Sequence, residues 1–235
     1  FSENKFNAVI HFAGKKSVKE SEEIPLEYYA VNVGASIVLL ETMKKHDVKK
    51  LIFSSTATVY GNNNNSPLTE KATLAPINNY GKSKLMVEDI IASICKADKE
   101  WSSVILRYFN PVGAHPSGLM GEDPNGIPAN LMPFISQVAT GRLKELSIFG
   151  DDYPTRDGTG ERDYIHVLDL VDAHINSLSL LNRKGLEVIN IGTGHGVTVK
   201  ELVNTFSRVN EVNIPYKIVG RRLGDSAICF ADPTK

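Results

Sequence analysis

The chain carries a short apolar run that ends in two serines, Leu51-Ile52-Phe53-Ser54-Ser55. A run of this length, bounded by polar residues, predicts a strand buried on both faces of a sheet. Similar runs precede and follow it, at residues 8–13 and 104–108. The segments between these runs, 26–46 and 80–97, carry apolar residues at helical spacing. This β-α-β-α-β order predicts a parallel sheet with helices on its faces.

The sequence after residue 110 differs from the first part of the chain in composition and in the length of its predicted elements. Residues 111–130 are rich in proline and glycine, which predicts a long loop, and loops of that length are usually functional. Short helices and strands are predicted beyond it, at 131–141, 146–149, 168–181, 188–191 and 199–209. We therefore predict an α/β fold made of a doubly wound parallel sheet and a smaller mixed α/β lobe.

Composition excludes several classes of protein. The 235 residues are 42% apolar and 23% charged, with a formal net charge of -1. Such a balance predicts neither a nucleic-acid partner nor an anionic membrane surface. The longest apolar stretches fall well short of the ~18 residues that a membrane helix needs.

The cysteines and histidines give no metal pattern. Cys95 and Cys229 lie far apart, so they predict neither a disulfide framework nor a metal site, and they fit a reducing, cytoplasmic location. None of the six histidines has HxxxH or HExxH spacing. The chain begins at Phe1 without a methionine, and we expect it to be a fragment that lacks N-terminal strands and the C-terminal end.

The run Asn79-Tyr80-Gly81-Lys82-Ser83-Lys84 contains a tyrosine four residues before a lysine. On a helix this spacing puts both side chains on one face. An ammonium near a phenol favours the phenolate, and a base that works at neutral pH needs that lowered pKa. The spacing alone is weak evidence, since it also occurs by chance on solvated helices.

Several further motifs occur in a fixed order along the chain. They are Val9-Ile10-His11-Phe12-Ala13-Gly14, Phe53-Ser54-Ser55-Thr56-Ala57-Thr58-Val59-Tyr60-Gly61, Leu106-Arg107-Tyr108-Phe109-Asn110-Pro111, Asp157-Gly158-Thr159-Gly160, Arg162-Asp163-Tyr164-Ile165-His166 and Asn190-Ile191-Gly192-Thr193-Gly194. Together with the Tyr80 run, this series resembles the extended short-chain dehydrogenase/reductase family, in particular its UDP-glucose (UDP-galactose) 4-epimerase branch. The resemblance extends over residues 8–232.

The resemblance implies a catalytic set and an NAD site on a Rossmann sheet. Tyr80 resembles the family's base for the sugar 4-hydroxyl, Lys84 the group that lowers its pKa, and Thr56 the usual serine that hydrogen-bonds it. The NAD contacts it implies are Phe12, Ala13, Gly14, Lys16, Asn32, Ser54, Tyr80, Lys84 and Tyr108. No metal is implied.

The resemblance also implies a nucleotide-sugar site and a division of the chain. The sugar-nucleotide contacts would be Thr56, Ala57, Thr58, Asn110, Asn130, Leu131, Met132, Phe149, Arg162, Arg222, Asp225 and Cys229. Residues 1–110 would form the C-terminal half of the NAD-binding domain. Residues 111–235 would be mainly the UDP-sugar lobe, with the segments around 164–195 returning to the Rossmann sheet.

The implied reaction is NAD-dependent epimerisation at C4 of UDP-galactose and UDP-glucose, through a transient 4-keto sugar. Family members are often homodimers, so a homodimer is possible. The related 4,6-dehydratases carry Asp-Glu where this chain has Ala57 and Thr58, so a dehydratase is a poor fit. Two alternatives stay open: an epimerase for another UDP-sugar, such as UDP-GlcNAc or a pentose, and a non-catalytic NAD-binding sensor.

Two further positions lead to specific expectations. Cys229 stands where some family members have a bulky tyrosine, and the smaller side chain predicts room for an N-acetylated sugar. The glycine-rich stretch Gly192-Thr193-Gly194-His195-Gly196 follows a strand and resembles a phosphate loop, but in this family it lies on the substrate side, and we do not assign it to phosphate.

Overall fold

The structure is a computed structural model that describes residues 1–62, 64–124, 126, 128, 130–222 and 225–235. Its strands are β1 (Val9–His11), β2 (Lys50–Thr56), β3 (Ser102–Tyr108), β4 (Asn110–Val112), β5 (Leu146–Phe149), β6 (Glu161–His166), β7 (Gly185–Ile191), β8 (Gly196–Thr198), β9 (Tyr216–Val219) and β10 (Ile228–Cys229). Its α-helices are α1 (Val18–Glu23), α2 (Pro25–Tyr28), α3 (Ala35–Lys45), α4 (Asn79–Ala97), α5 (Leu131–Ala139), α6 (Val167–Leu180) and α7 (Val199–Asn210).

The largest sheet has the order β1-β2-β3-β7, and all its neighbouring strands are parallel. Parallel strands need crossover connections, which here contain α3, α4 and α6. Leu51, Ile52 and Phe53 are almost completely buried because both faces of the sheet are covered. The predicted doubly wound α/β architecture is confirmed.

Side chains alternate between the two covered faces. Phe53 and Ile105 pack with α3 and α4, in a cluster that includes Met43 and Ile91. Their neighbours Ile52, Val104 and Leu106 pack on the opposite face with Leu181, at the end of α6. Because successive side chains of a strand point to opposite faces, this alternation also decides where the polar residues at the strand ends point.

The rest of the chain forms smaller sheets. Strand β6 pairs in parallel with β10 and β4, and antiparallel with β8. Strands β5 and β9 form a parallel pair, and Leu146 and Ile148 of β5 pack with Ile135 of α5 and Val203 of α7. Since β7 returns to the large sheet after β6, the smaller lobe is not contiguous in sequence. The proposed domain boundary at residue 110 stays a prediction.

The segment 26–46 differs from its prediction as one continuous helix. It contains the short helix α2, a π-helical segment at Tyr29–Gly34, and then α3. Apolar periodicity does not distinguish α-helical from π-helical turns, so the sequence pattern did not reveal this change. Single π-turns are common at functional sites, and this one contains Asn32.

Two negative findings apply to the part of the chain that the structure describes. None of its helices has the length and apolar character that crossing a membrane requires. In the same residues, His, Cys, Asp and Glu side chains do not gather in groups of three or more that could hold a metal ion.

Candidate functional site

The polar residues that end the parallel strands lie at the carboxyl edge of the large sheet, where ligands of such sheets bind. Thr56, the last residue of β2, is in register with Tyr108, the last residue of β3. Phe12, Ala13 and Gly14 directly follow β1. The sheet therefore brings the polar, aromatic and glycine residues at the ends of three strands to one edge.

Helix α4 begins beside this edge. Asn78 caps it, its side-chain oxygen accepting a hydrogen bond from the Gly81 backbone N–H at 2.8 Å. Gly81 packs so closely that an added Cβ would come within 3.0 Å of the Thr58 side chain. This contact holds the first turn of α4, which carries Tyr80, against the short helical turn after Thr56. We name Thr56, Tyr80, Lys84 and Tyr108 the inner cluster.

The pKa of Tyr80 differs from the expectation. Burial raises it above the ordinary value for a tyrosine, Tyr108 raises it further, and a hydrogen bond with the Thr56 side chain lowers it. Tyr28 also raises the pKa of Tyr80, whereas Lys84 is not among the described residues that shift it. The predicted lowering by Lys84 is therefore not seen in this structure, because desolvation dominates the pKa of Tyr80.

Lys84 is buried on the same face of α4, with 6% of its surface exposed. Its ammonium lies 4.4 Å from the centre of the Phe53 ring. Burial lowers the pKa of Lys84 to about 8, and Glu88 opposes that shift. Among the described residues no hydrogen bond uses its Nζ, which carries three N–H donors, although this atom is not completely buried.

Asn32 links the π-helical segment to this helix. Its amide nitrogen donates to the Ser83 hydroxyl and to the Lys15 carbonyl, both at 3.0 Å. Its oxygen accepts from the Lys15 backbone N–H at 2.7 Å. A Cβ on Gly14 would lie 3.0 Å from that same oxygen, a tight contact that favours a glycine in the loop after β1.

A chain of hydrogen bonds supports Tyr108 on the other face of the sheet. Ser54 lowers the pKa of Tyr108, which burial raises, and the Ser54 hydroxyl lies 2.9 Å from Nε2 of His174 on α6. The other ring nitrogen of His174 lies 2.8 Å from the Leu170 carbonyl and must donate to it, so Nε2 accepts from Ser54 when the ring is neutral. The Phe12 ring lies 4.6 Å from the His174 ring. His174, which the sequence did not single out, thus supports three expected NAD contacts.

Lys16 and Asn130 share one carboxylate. Glu122, in the proline- and glycine-rich loop, lies 3.2 Å from Lys16 Nζ and accepts a hydrogen bond from the Asn130 side chain at 3.3 Å. Asn130 precedes α5, where Leu131 and Met132 form the first turn. In this structure the lysine that the sequence assigned to the cofactor therefore forms an exposed ion pair with the loop.

The expected sugar-nucleotide residues gather in a second group, which we name the outer cluster: Phe149, Arg162, Arg222 and Asp225. Arg222 donates to Asp225 at 2.9 Å, and its guanidinium lies 4.7 Å from the centre of the Phe149 ring. Arg162 donates to the Glu161 carbonyl at 2.9 Å. Burial raises the pKa of Tyr164 to about 12, and both guanidinium groups oppose this rise. Both positive charges are therefore near enough to influence Tyr164, and guanidinium groups are well suited to phosphate oxygens.

Other predicted substrate residues lie around this group. Asn110 of β4 is in register with Tyr164, and Cys229 of β10 is in register with Arg162. Cys229 is half-buried, and burial raises the pKa of its thiol. Ala57 and Thr58 lie in the turn directly after Thr56, on the side of the inner cluster.

The loop that resembled a phosphate loop already binds an internal anion. The completely buried carboxylate of Asp163 accepts hydrogen bonds from the backbone N–H groups of Thr193 at 2.8 Å and Gly194 at 3.0 Å. It also accepts from the Ala231 N–H at 3.1 Å. These donors are therefore not free for a ligand, which agrees with leaving the loop unassigned.

The fit of this site to NAD is favourable. The Lys84 side chain, the Phe12 ring and the Tyr108 side chain lie near the sheet edge where dinucleotides bind. The fold and the site thus define a Rossmann-type nucleotide-binding protein.

Comparison with known proteins gives the family. Residues 1–192 match the model of the NAD dependent epimerase/dehydratase family. The UDP-glucose 4-epimerase of Bacillus subtilis is 55% identical over 236 aligned residues, which cover 100% of this chain and 70% of the relative. The chain therefore belongs to the NAD dependent epimerase/dehydratase family.

Solved structures agree. The UDP-glucose 4-epimerase from Bifidobacterium longum, in complex with NAD+ and UDP, has a TM-score of 0.96 and 52% identity, covering 100% of this chain and 70% of that one. The enzyme from Stenotrophomonas maltophila, with bound NAD and formylated UDP-arabinopyranose, has a TM-score of 0.94 and 49% identity, covering 97% and 68%. The fold and family that the motifs predicted are confirmed.

Proposed function

We propose that this protein interconverts UDP-galactose and UDP-glucose by epimerisation at C4. The carrying observation is the inner cluster: the Thr56 side chain lies close enough to Tyr80 to lower its pKa, and Lys84 is buried on the same face of α4. Relatives named UDP-glucose 4-epimerase match the chain over its full length at 53–55% identity, which supports the substrate class.

In this mechanism Tyr80 takes the proton of the sugar 4-hydroxyl and later returns it. The Thr56 hydroxyl donates to the Thr58 hydroxyl at 3.0 Å in this structure, and in the reaction it turns to donate to the Tyr80 phenolate, which opposes the effect of burial on the Tyr80 pKa. NAD, when bound, supplies the acceptor and donor of the C4 hydride. Phe12, Lys16, Asn32, Ser54, Lys84 and Tyr108 would hold it.

The outer cluster binds the other end of the substrate. Arg162 and Arg222 carry the positive charge that a diphosphate needs, and the Phe149 ring offers an apolar face. Binding energy from this remote end holds the sugar in place while its C4 reacts.

The decisive experiment uses the full-length protein with UDP-galactose and chromatography of the nucleotide sugars. Formation of UDP-glucose, with transient ultraviolet absorbance of reduced nicotinamide, is the expected result. Tight binding of NAD and UDP-sugar without either signal would favour the non-catalytic sensor instead. Lys84→Met provides the matched variant, because it keeps the buried volume and removes the ammonium.

A second substrate class is favoured by Cys229. Its side chain is much smaller than a tyrosine, and it lies beside Arg162 in the paired strands β6 and β10. We infer that the site also accepts N-acetylated UDP-hexosamines. Cys229→Tyr should abolish turnover of UDP-GlcNAc and spare UDP-galactose; a wild-type protein active on UDP-galactose but inactive on UDP-GlcNAc would refute this inference.

We also propose a homodimer formed through α3 and α4. Ile37 and Val38 of α3 and Met86 of α4 are large apolar side chains that remain exposed. Ile37 lines one groove together with Ile90 and Ile94 of α4. Val38→Glu should yield a monomer in light scattering after gel filtration, whereas Val171→Glu on the exposed face of α6 should not. A wild-type monomer would contradict the proposal.

A further inference from the structure

A buried pair of opposite charges lies beneath α4. Glu88 and Arg107 each expose only 4% of their surface. The Arg107 Nε lies 3.1 and 3.2 Å from the two Glu88 oxygens, and its Nη2 lies 2.6 Å from one of them. The Ser55 hydroxyl also donates to Glu88. This carboxylate is fully engaged.

The sheet explains why the pair forms there. Ser55 and Arg107 are in register on β2 and β3, and the alternation of side chains turns both toward α4. The remaining nitrogen of Arg107 donates to the Tyr60 hydroxyl and the Glu70 carbonyl, both at 3.2 Å. Arg107 is therefore fixed from two sides and fixes Glu88 in turn.

Glu88 also lies one helical turn after Lys84. Groups from three elements face Lys84: His11 of β1, the Phe53 ring of β2, and Glu88 of its own helix. Burial, together with Lys84, lowers the pKa of His11 to about 4, so His11 is neutral near pH 7. Among the described residues, Glu88 is thus the anion that acts on Lys84.

The local charges do not cancel. Arg107 and Lys84 contribute two positive charges and Glu88 contributes one negative charge. If Glu88 were free, it would form a direct ion pair with Lys84 and occupy its N–H donors. Because Arg107 holds the carboxylate, Glu88 attracts Lys84 from one turn away and leaves those donors unoccupied.

We propose that Glu88, clamped by Arg107, is a positioning residue that keeps Lys84 protonated and unpaired, with its charge and N–H donors available to the ligands of the site. The inference deepens the proposed epimerisation and rests on it. The proposal predicts opposite effects for two substitutions. Removing the Glu88 charge should favour deprotonation of Lys84, whereas removing the Arg107 charge should free Glu88 to pair with Lys84.

The test is the titration of Lys84 in the full-length protein, followed by carbon NMR of labelled lysine and assigned with Lys84→Met. Glu88→Gln should lower the midpoint by about one unit or more, and Arg107→Met should raise it. A merely structural pair would lower the melting temperature in both variants and move the midpoint in neither, which would overturn the proposal.

Two controls keep the outcome decisive. Ser55→Ala removes one hydrogen bond to Glu88 but keeps both charges, so the midpoint should stay in place. If the single variants fail to fold, the double variant Glu88→Gln/Arg107→Met replaces the pair by neutral side chains of similar volume, which buried pairs often tolerate. Its midpoint should fall below that of the wild type, and an unchanged value would overturn the proposal.

The result separates this inference from the proposed function. Shifted midpoints in a protein that does not epimerise UDP-galactose would retain the role of Glu88 and refute the reaction. Normal epimerisation with unshifted midpoints would support the reaction and refute the role of Glu88.

Discussion

The inner and outer clusters are built in opposite ways. The inner cluster stands on strand ends and one helix, and Thr56 and Lys84 expose less than a tenth of their surface. The outer cluster uses loops and short strands, and the Arg222 side chain is 53% exposed even though it pairs with Asp225. Buried groups have strongly shifted pKa values, whereas exposed ion pairs contribute little energy and are screened by salt. The two halves of one site therefore respond to different perturbations.

The largest expected effect is on the inner cluster. Tyr80→Phe removes the base and should reduce kcat by about 10²- to 10⁴-fold, since positioned acid–base groups contribute that much. The affinity for UDP-sugar, measured by calorimetry, should stay nearly unchanged because the outer cluster is intact. Tyr29→Phe, which loses only a hydroxyl that donates to Asn79 at 3.0 Å, is the control. Equal losses of turnover and affinity in Tyr80→Phe would contradict the division into two clusters.

The second prediction concerns pH and the buried side of the site. The pKa of His11 is lowered to about 4 by burial, from 6.5. Neutral His11 contributes about 3 kcal/mol to the free energy of unfolding above pH 6.5. This contribution is lost as the pH falls through 4. His11→Asn should therefore flatten the fall in the free energy of unfolding over this interval, as measured by urea titration. Identical slopes in wild type and variant would show that His11 is not buried in its neutral form.

Thr56 offers a finer test of the inner cluster. Thr56→Ala removes the hydroxyl proposed to donate to the Tyr80 phenolate, and bonds to charged groups are worth about 1.5–3 kcal/mol, so kcat should fall roughly ten- to a hundredfold. The pH profile should shift to higher pH, since the Tyr80 pKa rises without this donor. Thr56→Ser keeps the hydroxyl and should restore both values; failure of that rescue would mean that the methyl group matters more than the bond.

The smallest effect is expected at the outer cluster. Arg222→Ala should raise KM about tenfold and leave kcat unchanged, because an exposed cation contributes modestly to binding. Higher salt should reduce the difference between wild type and variant. The neighbouring Arg221 pairs with Asp152 and lies over the Tyr153 ring at 4.1 Å, so Arg221→Ala is the matched control with little effect on KM. A comparable effect in the control would show that the general charge of this loop, and not Arg222, binds the substrate.

Local patterns were sufficient for much of the fold. Apolar runs located β2, β3 and β7, and helical spacing located α4, α6 and α7 to within a few residues. The π-helical segment at Tyr29–Gly34 was missed because its apolar spacing is the same as that of an α-helix, and the short helix α1 was missed because it has almost no apolar residues. Glu88 could have been found, since it continues the four-residue spacing of Tyr80 and Lys84. His174 and Glu122 could not, because their partners lie 120 and 106 residues away in the chain.

The sequence by itself determined the order of strands and helices, the helix face that carries Tyr80 and Lys84, and the family to which the chain belongs. It could do so because these properties follow from short spacings and local periodicity. Only the tertiary structure decided how the charges behave: burial raises the pKa of Tyr80, Arg107 restrains Glu88, and Asp163 fills the loop that resembled a phosphate site. Desolvation and long-range contacts set these properties, and both exist only once distant segments have packed together.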